Sequence, residues 1–233
     1  MKLLVTGANR GLGLALTTVS IKRGHTVFAG VREQGDRTEA LEQLQTLFPK
    51  QLMILPLDIT EESTCDHAAQ HVKASVGTID AIINNAGLLT ERDKRIEELD
   101  MNEVHKTFNV NVYGPMRVIK HFLPILSRGD QAGIINISSE AGSFANAYGG
   151  DYPYAMSKHA LNMFTEQLRH ALKGTDISVL AIHPGWMQTD MGGQDAPLSP
   201  QEAANGIVDI IERKKHIQAS SSFIDFKGQP MQV

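Results

Sequence analysis

The stretch Lys2-Leu3-Leu4-Val5-Thr6-Gly7-Ala8-Asn9-Arg10-Gly11-Leu12-Gly13 decides the fold. Residues 2–5 are a short apolar run with a β-strand bias. Three glycines follow within seven positions, and from Leu12 onward the apolar residues take a helical period. Glycine at these places permits a tight turn, close approach of the backbone to a pyrophosphate, and close packing of helix on strand. The helix that starts there directs its unpaired N–H groups and positive dipole end at whatever lies in the turn. The spacing is G-x-x-x-G-x-G, and a glycine turn alone also occurs as a plain structural bend. Here it joins a strand to a helix at the opening of a βαβ unit, which points to a dinucleotide.

The same alternation continues along the chain. Strands are predicted at 2–5, 26–31, 52–56, 81–83, 133–138, 177–182 and 222–225. Helices are predicted at 12–23, 37–47, 61–75, 101–126, 152–173 and 200–213. Short buried runs between longer helical segments predict an α/β fold, a doubly wound parallel sheet covered by helices on both faces. The 233 residues, 42% of them hydrophobic, are enough for one domain spanning 1–233. No linker, repeat or low-complexity tract interrupts it. The loops richest in glycine and turn formers, 141–151 and 185–199, both follow strands, at the edge where open α/β sheets bind ligands.

Composition removes several function classes. A net charge of −4 and no basic block argue against a nucleic-acid surface. The longest positive run, Arg213-Lys214-Lys215, reads as a solvated helix end. No apolar run reaches the length of a membrane span, and no leader precedes the first strand, so neither membrane nor export is expected. The single cysteine, Cys65, fits a reducing cytoplasm and reads as packing. The nine histidines show no metal-ligand spacing, and no metal is expected.

The second strand distinguishes between dinucleotides. Strands that bind NAD usually end in an acidic residue for the ribose 2′-hydroxyl. Here Val31 is followed by Arg32, and Arg10 comes from the glycine turn; two guanidiniums suit a 2′-phosphate, so NADP(H) is expected. Asp58, closing the third strand, either caps the next helix or meets an adenine edge. Asn84-Asn85-Ala86-Gly87 ends the fourth strand with an amide-rich turn of small residues.

Tyr154-Ala155-Met156-Ser157-Lys158 supplies the reactive groups. A four-residue spacing puts phenol and ammonium on one helical face. A free tyrosine has a pKa of about 10, and a nearby positive charge favours its phenolate. A tyrosine tuned in this way passes a proton to a carbonyl oxygen or takes one from an alcohol. Tyr148 and Tyr152 have no lysine four residues on. Taken alone, Tyr-x-x-x-Lys is also a common accident of solvated helices.

Taken together, the glycine turn, Asn84-Asn85-Ala86-Gly87, Asn109-Val110-Asn111, Ile135-Asn136-Ile137-Ser138-Ser139, Tyr154-x-x-x-Lys158 and Pro184-Gly185 resemble the short-chain dehydrogenase/reductase family in content and order. The resemblance spans essentially the whole chain. Asn9 to Gly13, Thr189-Asp190-Met191-Gly192-Gly193 and Phe223-Ile224-Asp225-Phe226-Lys227-Gly228 look like the C-factor and sniffer-type carbonyl reductases within it. The resemblance implies a Rossmann domain with a parallel sheet of about seven strands. It also implies four catalytic residues: Ser139 to bond the substrate carbonyl, Tyr154 to pass the proton, Lys158 to lower the Tyr154 pKa and hold the ribose, and Asn111 to anchor a water of the relay. Ser138 competes with Ser139, but strand alternation lets only one reach the cleft. The cofactor-binding set that follows is Gly7, Asn9, Arg10, Gly11, Leu12, Gly13, Arg32, Asp58, Ile59, Asn85, Ala86, Gly87, Tyr154, Lys158, Pro184, Gly185, Met187 and Thr189. Ser139 and Tyr154 stand fifteen apart, against about a dozen in the family, and the extra residues fall in 145–151.

The expected activity is reduction of an aldehyde, ketone or quinone to an alcohol with NADPH. Trp186, Met187, Met191, Phe144 and Leu88 are the expected apolar lining for a small-molecule substrate. Two alternatives stand beside it: an NADP(H)-binding signalling or redox-sensing protein of C-factor type with little turnover, and a 3-oxoacyl-carrier reductase. The two long helices carry apolar residues beyond the sheet-facing side (Phe108, Val112, Met116, Ile119, Leu161, Met163, Phe164, Leu168). A homodimer is therefore expected, with a tetramer as the alternative.

Overall fold

The computed structural model describes residues 1–32, 38–129, 131–215, 217 and 219–233. Leu3, Leu4 and Val5 are all buried because helices cover both faces of their strand. Strands β1 (Lys2–Thr6), β2 (Thr26–Val31), β3 (Leu52–Pro56), β4 (Ala81–Asn84), β5 (Gly133–Ile137), β6 (Ser178–His183) and β7 (Phe223–Asp225) make one parallel sheet. The order is β3-β2-β1-β4-β5-β6-β7. Side chains alternate faithfully across it. Leu3, Val5, Val27, Ala29 and Ile83 pack on one side, with helices α1 (Gly11–Lys22) and α7 (Pro200–Ile211). Leu4, Phe28, Ile82 and Ile134 pack on the other, with α3 (Glu62–Val76) and α5 (Gly114–Phe122). Helix α2 (Glu39–Leu47) completes the first layer; α4 (Met101–Phe108) and α6 (Tyr152–Ala171) complete the second. The prediction of 37–47 for α2 begins at Arg37, which lies outside the described residues.

Strand succession reverses between β1 and β4, whose register runs Leu3↔Ala81 to Val5↔Ile83. A sheet of this kind opens its ligand crevice at that reversal. The glycine turn and the turn after β4 both sit there.

One predicted helix is broken. The span 101–126 resolves into α4, a π-helical turn at Asn109–Tyr113, α5, and a 3₁₀ turn at Leu123–Ile125. The apolar period runs through all four pieces, which is why it reads as one helix. The cause of the break is also in the sequence: Pro115 has no N–H for the carbonyl of Asn111 four residues back, and Pro124 ends the second piece. The run Arg213-Lys214-Lys215 is not a simple solvated cap either. Arg213 donates to the Ala132 carbonyl at 3.0 Å, and Lys215 to that of Phe226 at 3.0 Å. Cys65 is buried as expected, and burial pushes its thiol up to about 11, away from reactivity.

Gly13 is the tightest joint of the fold. A Cβ there would collide with the Gly7 carbonyl oxygen and stand 2.7 Å from Asn85 Nδ2. Gly13→Ala should therefore destabilise the protein by about 2 kcal/mol through overpacking and lower the melting temperature by several degrees. Calorimetry checks this; an unchanged melt would mean that the turn relaxes freely.

Candidate active site

A cavity of about 1200 Å³ opens beyond the carboxyl ends of the central strands. Its floor at one end is the glycine turn and the first turn of α1. Arg10, the N-cap of α1, supplies no side-chain cap, and no acidic residue stands in the first turn. The helix thus presents its terminal N–H groups and positive dipole end to the cavity, which fits an anionic diphosphate. The other end is walled by Ser139, Tyr154 and Lys158, so one continuous cleft joins phosphate-type features to proton-transfer groups.

Helix α6 sets the reactive pair. Tyr154 and Lys158 are one turn apart, and Lys158 Nζ stands 5.5 Å from the centre of the Tyr154 ring. The ammonium is buried and donates to the Ile137 carbonyl at 2.8 Å. Burial lowers the lysine to about 8. Burial raises the pKa of the tyrosine above that of a free phenol, Ser139 opposes the rise, Asp151 adds to it, and Arg92 opposes it. At neutral pH the phenol is therefore a held proton donor.

The serines separate as strand alternation requires. Ser138 is buried, with its hydroxyl donating to Asn162 Oδ1 at 2.6 Å. Ser139 turns toward the cleft, caps the short 3₁₀ turn Glu140–Gly142 by accepting from Ala141 N at 3.2 Å, and favours the ionised form of Tyr154.

Every expected cofactor-binding residue lies on the cavity wall: Gly7, Asn9, Arg10, Gly11, Leu12, Gly13, Arg32, Asp58, Ile59, Asn85, Ala86, Gly87, Tyr154, Lys158, Pro184, Gly185, Met187 and Thr189. Several of them have other partners as well. Asp58 Oδ1 accepts from Thr60 N at 2.9 Å and Thr60 Oγ1 at 2.7 Å, which makes it a turn cap. Asn85 Nδ2 donates to the carbonyls of Thr6 (2.9 Å) and Gly7 (3.1 Å), bracing the glycine turn. Arg10 pairs with Asp190 at 2.9 Å, both well exposed.

Asn111 does not line the cavity. It is buried in the π turn, accepts from Leu88 N at 2.7 Å, and donates to Leu88 O (2.8 Å) and Ser157 Oγ (2.9 Å). Its side chain positions the loop after β4: both N–H groups are used, and Oδ1 accepts one bond. Phe144 is also misplaced by the sequence reading. It is exposed and packs its ring at 6.3 Å from His159, off the wall. Trp186, Met187, Met191 and Leu88 do line the cavity, with Trp186 Nε1 donating to Gly192 O at 2.7 Å.

Sequence reasoning missed Arg92 and His183 on the same wall, whereas Asp151 ends the loop 141–151 expected there. Arg92 Nη2 donates to Met191 O at 2.8 Å, and His183 Nδ1 accepts from Glu140 N at 3.1 Å. Neither lies in a recognisable spacing; they meet because loops from different strands converge. Among the described residues no group of acids, histidines and cysteine could hold a metal, and no helix is long and apolar enough to cross a membrane.

Comparison with known proteins agrees with this geometry. The family model for short chain dehydrogenases matches residues 2–197. C-signal of Myxococcus xanthus is 36% identical over 153 residues, 65% of this chain and 91% of that protein. The NADPH-bound carbonyl reductase from chicken fatty liver is 30% identical with a TM-score of 0.88, covering 100% of this chain and 98% of that one. The carbonyl reductase Sniffer of D. melanogaster is also 30% identical, TM-score 0.88, covering 100% and 99%.

Asn111→Ala would leave Leu88 N and Leu88 O without this partner and take from Ser157 Oγ its donor. A loss of about 3 kcal/mol is expected, since each orphaned group costs about 1–3 kcal/mol. Urea denaturation reads it; a loss below about 1 kcal/mol would show that the π turn holds the loop without this side chain.

Proposed function

The chain belongs to the short-chain dehydrogenase family of oxidoreductases, and from that premise we propose that it is an NADPH-dependent reductase of aldehydes, ketones or quinones. The observation that carries the reading is the single cleft running from the α1 N-terminus to the phenol of Tyr154. The bound nicotinamide supplies a hydride for the carbonyl carbon; the protein's part is orientation, water exclusion and a proton.

Tyr154, held protonated by burial, donates its proton to the carbonyl oxygen as charge develops there. Ser139 donates a hydrogen bond to the same oxygen and stabilises it. Lys158 places a buried charge behind the phenol and repays the negative charge left on Tyr154. Asn111 acts through the Leu88 loop and Ser157, whose hydroxyl donates to the Tyr154 carbonyl at 2.7 Å. Arg32, just after β2, is the proposed reader of a 2′-phosphate, with Arg10 also on the wall. The likeness to the NADPH-bound chicken reductase supports the same cofactor.

A second reading draws on the likeness to C-signal: a dinucleotide-binding signalling protein with little turnover. The intact Ser139, Tyr154 and Lys158 cluster favours catalysis, and the two roles are compatible.

The proposed setting is the cytoplasm and the proposed assembly a homodimer. Val112, Ile119 and Leu161 of the expected interface are buried within this chain. Met116 and Met163 are exposed, joined by Met101, Tyr113 and Met156, so the apolar surface for a partner copy is narrower than the sequence suggests.

Tyr154→Phe should bind NADPH with unchanged fluorescence titration and lose reduction by about 10²–10⁴-fold, the usual worth of a general acid. Turnover within tenfold of wild type would refute the proton role. Arg32→Asp should weaken NADPH binding at least tenfold, about 1.4 kcal/mol, while sparing NADH. An equal loss for both dinucleotides would place the 2′-phosphate contact elsewhere.

A further inference from the structure

Pro184 has no N–H with which to extend the β5–β6 ladder, which runs as far as Ser138 N donating to the Ile182 carbonyl at 2.8 Å. Beyond that point a side chain takes over. Glu140 N, two residues on, donates to His183 Nδ1 at 3.1 Å. This bond fixes the state of the ring. An imidazole nitrogen accepts only while it carries no proton, so His183 is neutral with its hydrogen on Nε2. The far end of the same short turn is held by a second histidine in the opposite sense. His159 Nδ1 donates to the Gly142 carbonyl at 3.0 Å, a bond that a protonated ring keeps. Protonation thus undoes one fastening of the turn Glu140–Gly142 and spares the other.

The turn matters because Ser139 is its N-cap, with Oγ accepting from Ala141 N at 3.2 Å. The Glu140 N–H belongs to the peptide bond that leaves Ser139, so the ring grips the backbone of the serine that meets the phenol. Among the described residues lining the cleft His183 is the one histidine, and its side chain is mostly buried. The charges around it come from both neighbouring strands. Glu140 Oε1 lies 3.9 Å from Nε2, and Asp225 of β7 is the register partner, its Oδ1 accepting from Lys227 N and Gln229 N at 2.8 Å. From α6, Tyr154 and Lys158 share the wall. Burial lowers the ring below its ordinary value, against the pull of the two carboxylates. Falling pH leaves the reactive pair unchanged, since Tyr154 is raised and Lys158 stands at about 8.

Granting the reductase reading, we infer that His183 is a positioning residue: its neutral ring holds the Ser139 turn in place against Tyr154, and gaining a proton releases the turn and slows reduction. In the protonated ring Nδ1–H faces Glu140 N–H, two donors with no acceptor between them, so either the ring or the turn has to shift. The contact is fully present above the ordinary histidine value and is lost as pH falls through the lowered one. His183 acts through Ser139 alone and takes no part in moving the proton or the hydride.

The test follows kcat of the purified full chain from pH 7.5 to pH 4.5, with NADPH and whichever of benzaldehyde, acetophenone and menadione wild type reduces fastest. Rates are corrected for spontaneous NADPH decay, and NADPH affinity is read by fluorescence at each pH. Wild-type kcat should fall at least threefold across the range while NADPH affinity stays within threefold. Asparagine sets an acceptor oxygen where Nδ1 stands and does not titrate, so His183→Asn should stay within threefold of wild type at pH 7.5 and lose the acid limb. His183→Ala, with no acceptor, should be at least tenfold slower at pH 7.5. Ser139→Ala should be slow throughout and flat. An acid limb that persists in His183→Asn or in Ser139→Ala overturns the inference, as does a His183→Ala rate within threefold of wild type. Loss of NADPH affinity in step with kcat would place the effect on Pro184-Gly185 and overturn it too. Should both His183 variants fail to fold by their melts, a flat profile in folded wild type overturns it equally. Failure of wild type to oxidise NADPH with any aldehyde, ketone or quinone would instead sink the reductase reading, and this inference with it.

Discussion

Four hydrogen bonds join the turn after β1 to the turn after β4. Thr6 Oγ1 accepts from Asn85 N at 3.0 Å and from Ala86 N at 3.1 Å, while Asn85 Nδ2 donates to the carbonyls of Thr6 and Gly7. The β1–β4 ladder has already ended at Val5 and Ile83, so the backbone groups beyond it need other partners. These two side chains supply them. The stitch holds Gly7 and Gly13 close enough for α1 to start against the sheet. It thereby fixes the direction in which the helix points its N-terminus. Where a diphosphate lies relative to Tyr154 follows from that direction.

A second chain of bonds runs from this edge to the reactive helix. Leu88 follows the β4 turn and is gripped on both its backbone groups by Asn111, which also donates to Ser157, which donates to the Tyr154 carbonyl. The π turn is what aims Asn111 inward, since a regular helix would carry the residue on another bearing. The loop after β4 and the helix carrying Tyr154 are thus coupled through amide and hydroxyl groups. Networks of this kind are stiff because each member is costly to leave unpaired.

The sequence made the sheet, its helical layers and the cavity wall legible because those depend on local period and on turn residues that have few alternatives. All seven predicted strands are present, with edges shifted by a residue or so. What escaped it has particular causes. The break at Asn109–Tyr113 leaves the apolar period undisturbed and is betrayed only by Pro115. The partners of Asn85 and Asn111 are also invisible in sequence; both side chains bond backbone groups. Arg92 belongs to no motif, since its place on the wall depends on how the loop after β4 folds over the strand ends. Phe144 is one residue beyond the 3₁₀ cap, enough to turn its ring outward.

The reactive pair shows how burial alone sorts two titrating groups. Moving Lys158 out of water lowers it from 10.5 to about 8, so the folded state holds its proton less tightly than the unfolded chain does. The cost of that charged amine, about 3 kcal/mol, is fully present below pH 8 and fades as pH rises toward the unfolded value. The same loss of water moves Tyr154 the other way, because its charged form is the deprotonated one. Near neutrality the result is an ammonium still charged beside a phenol that keeps its proton. That is the protonation state a carbonyl oxygen needs to meet when it gains charge. An apolar residue at position 158 would relieve that burial cost and remove the charge that stands beside the phenol.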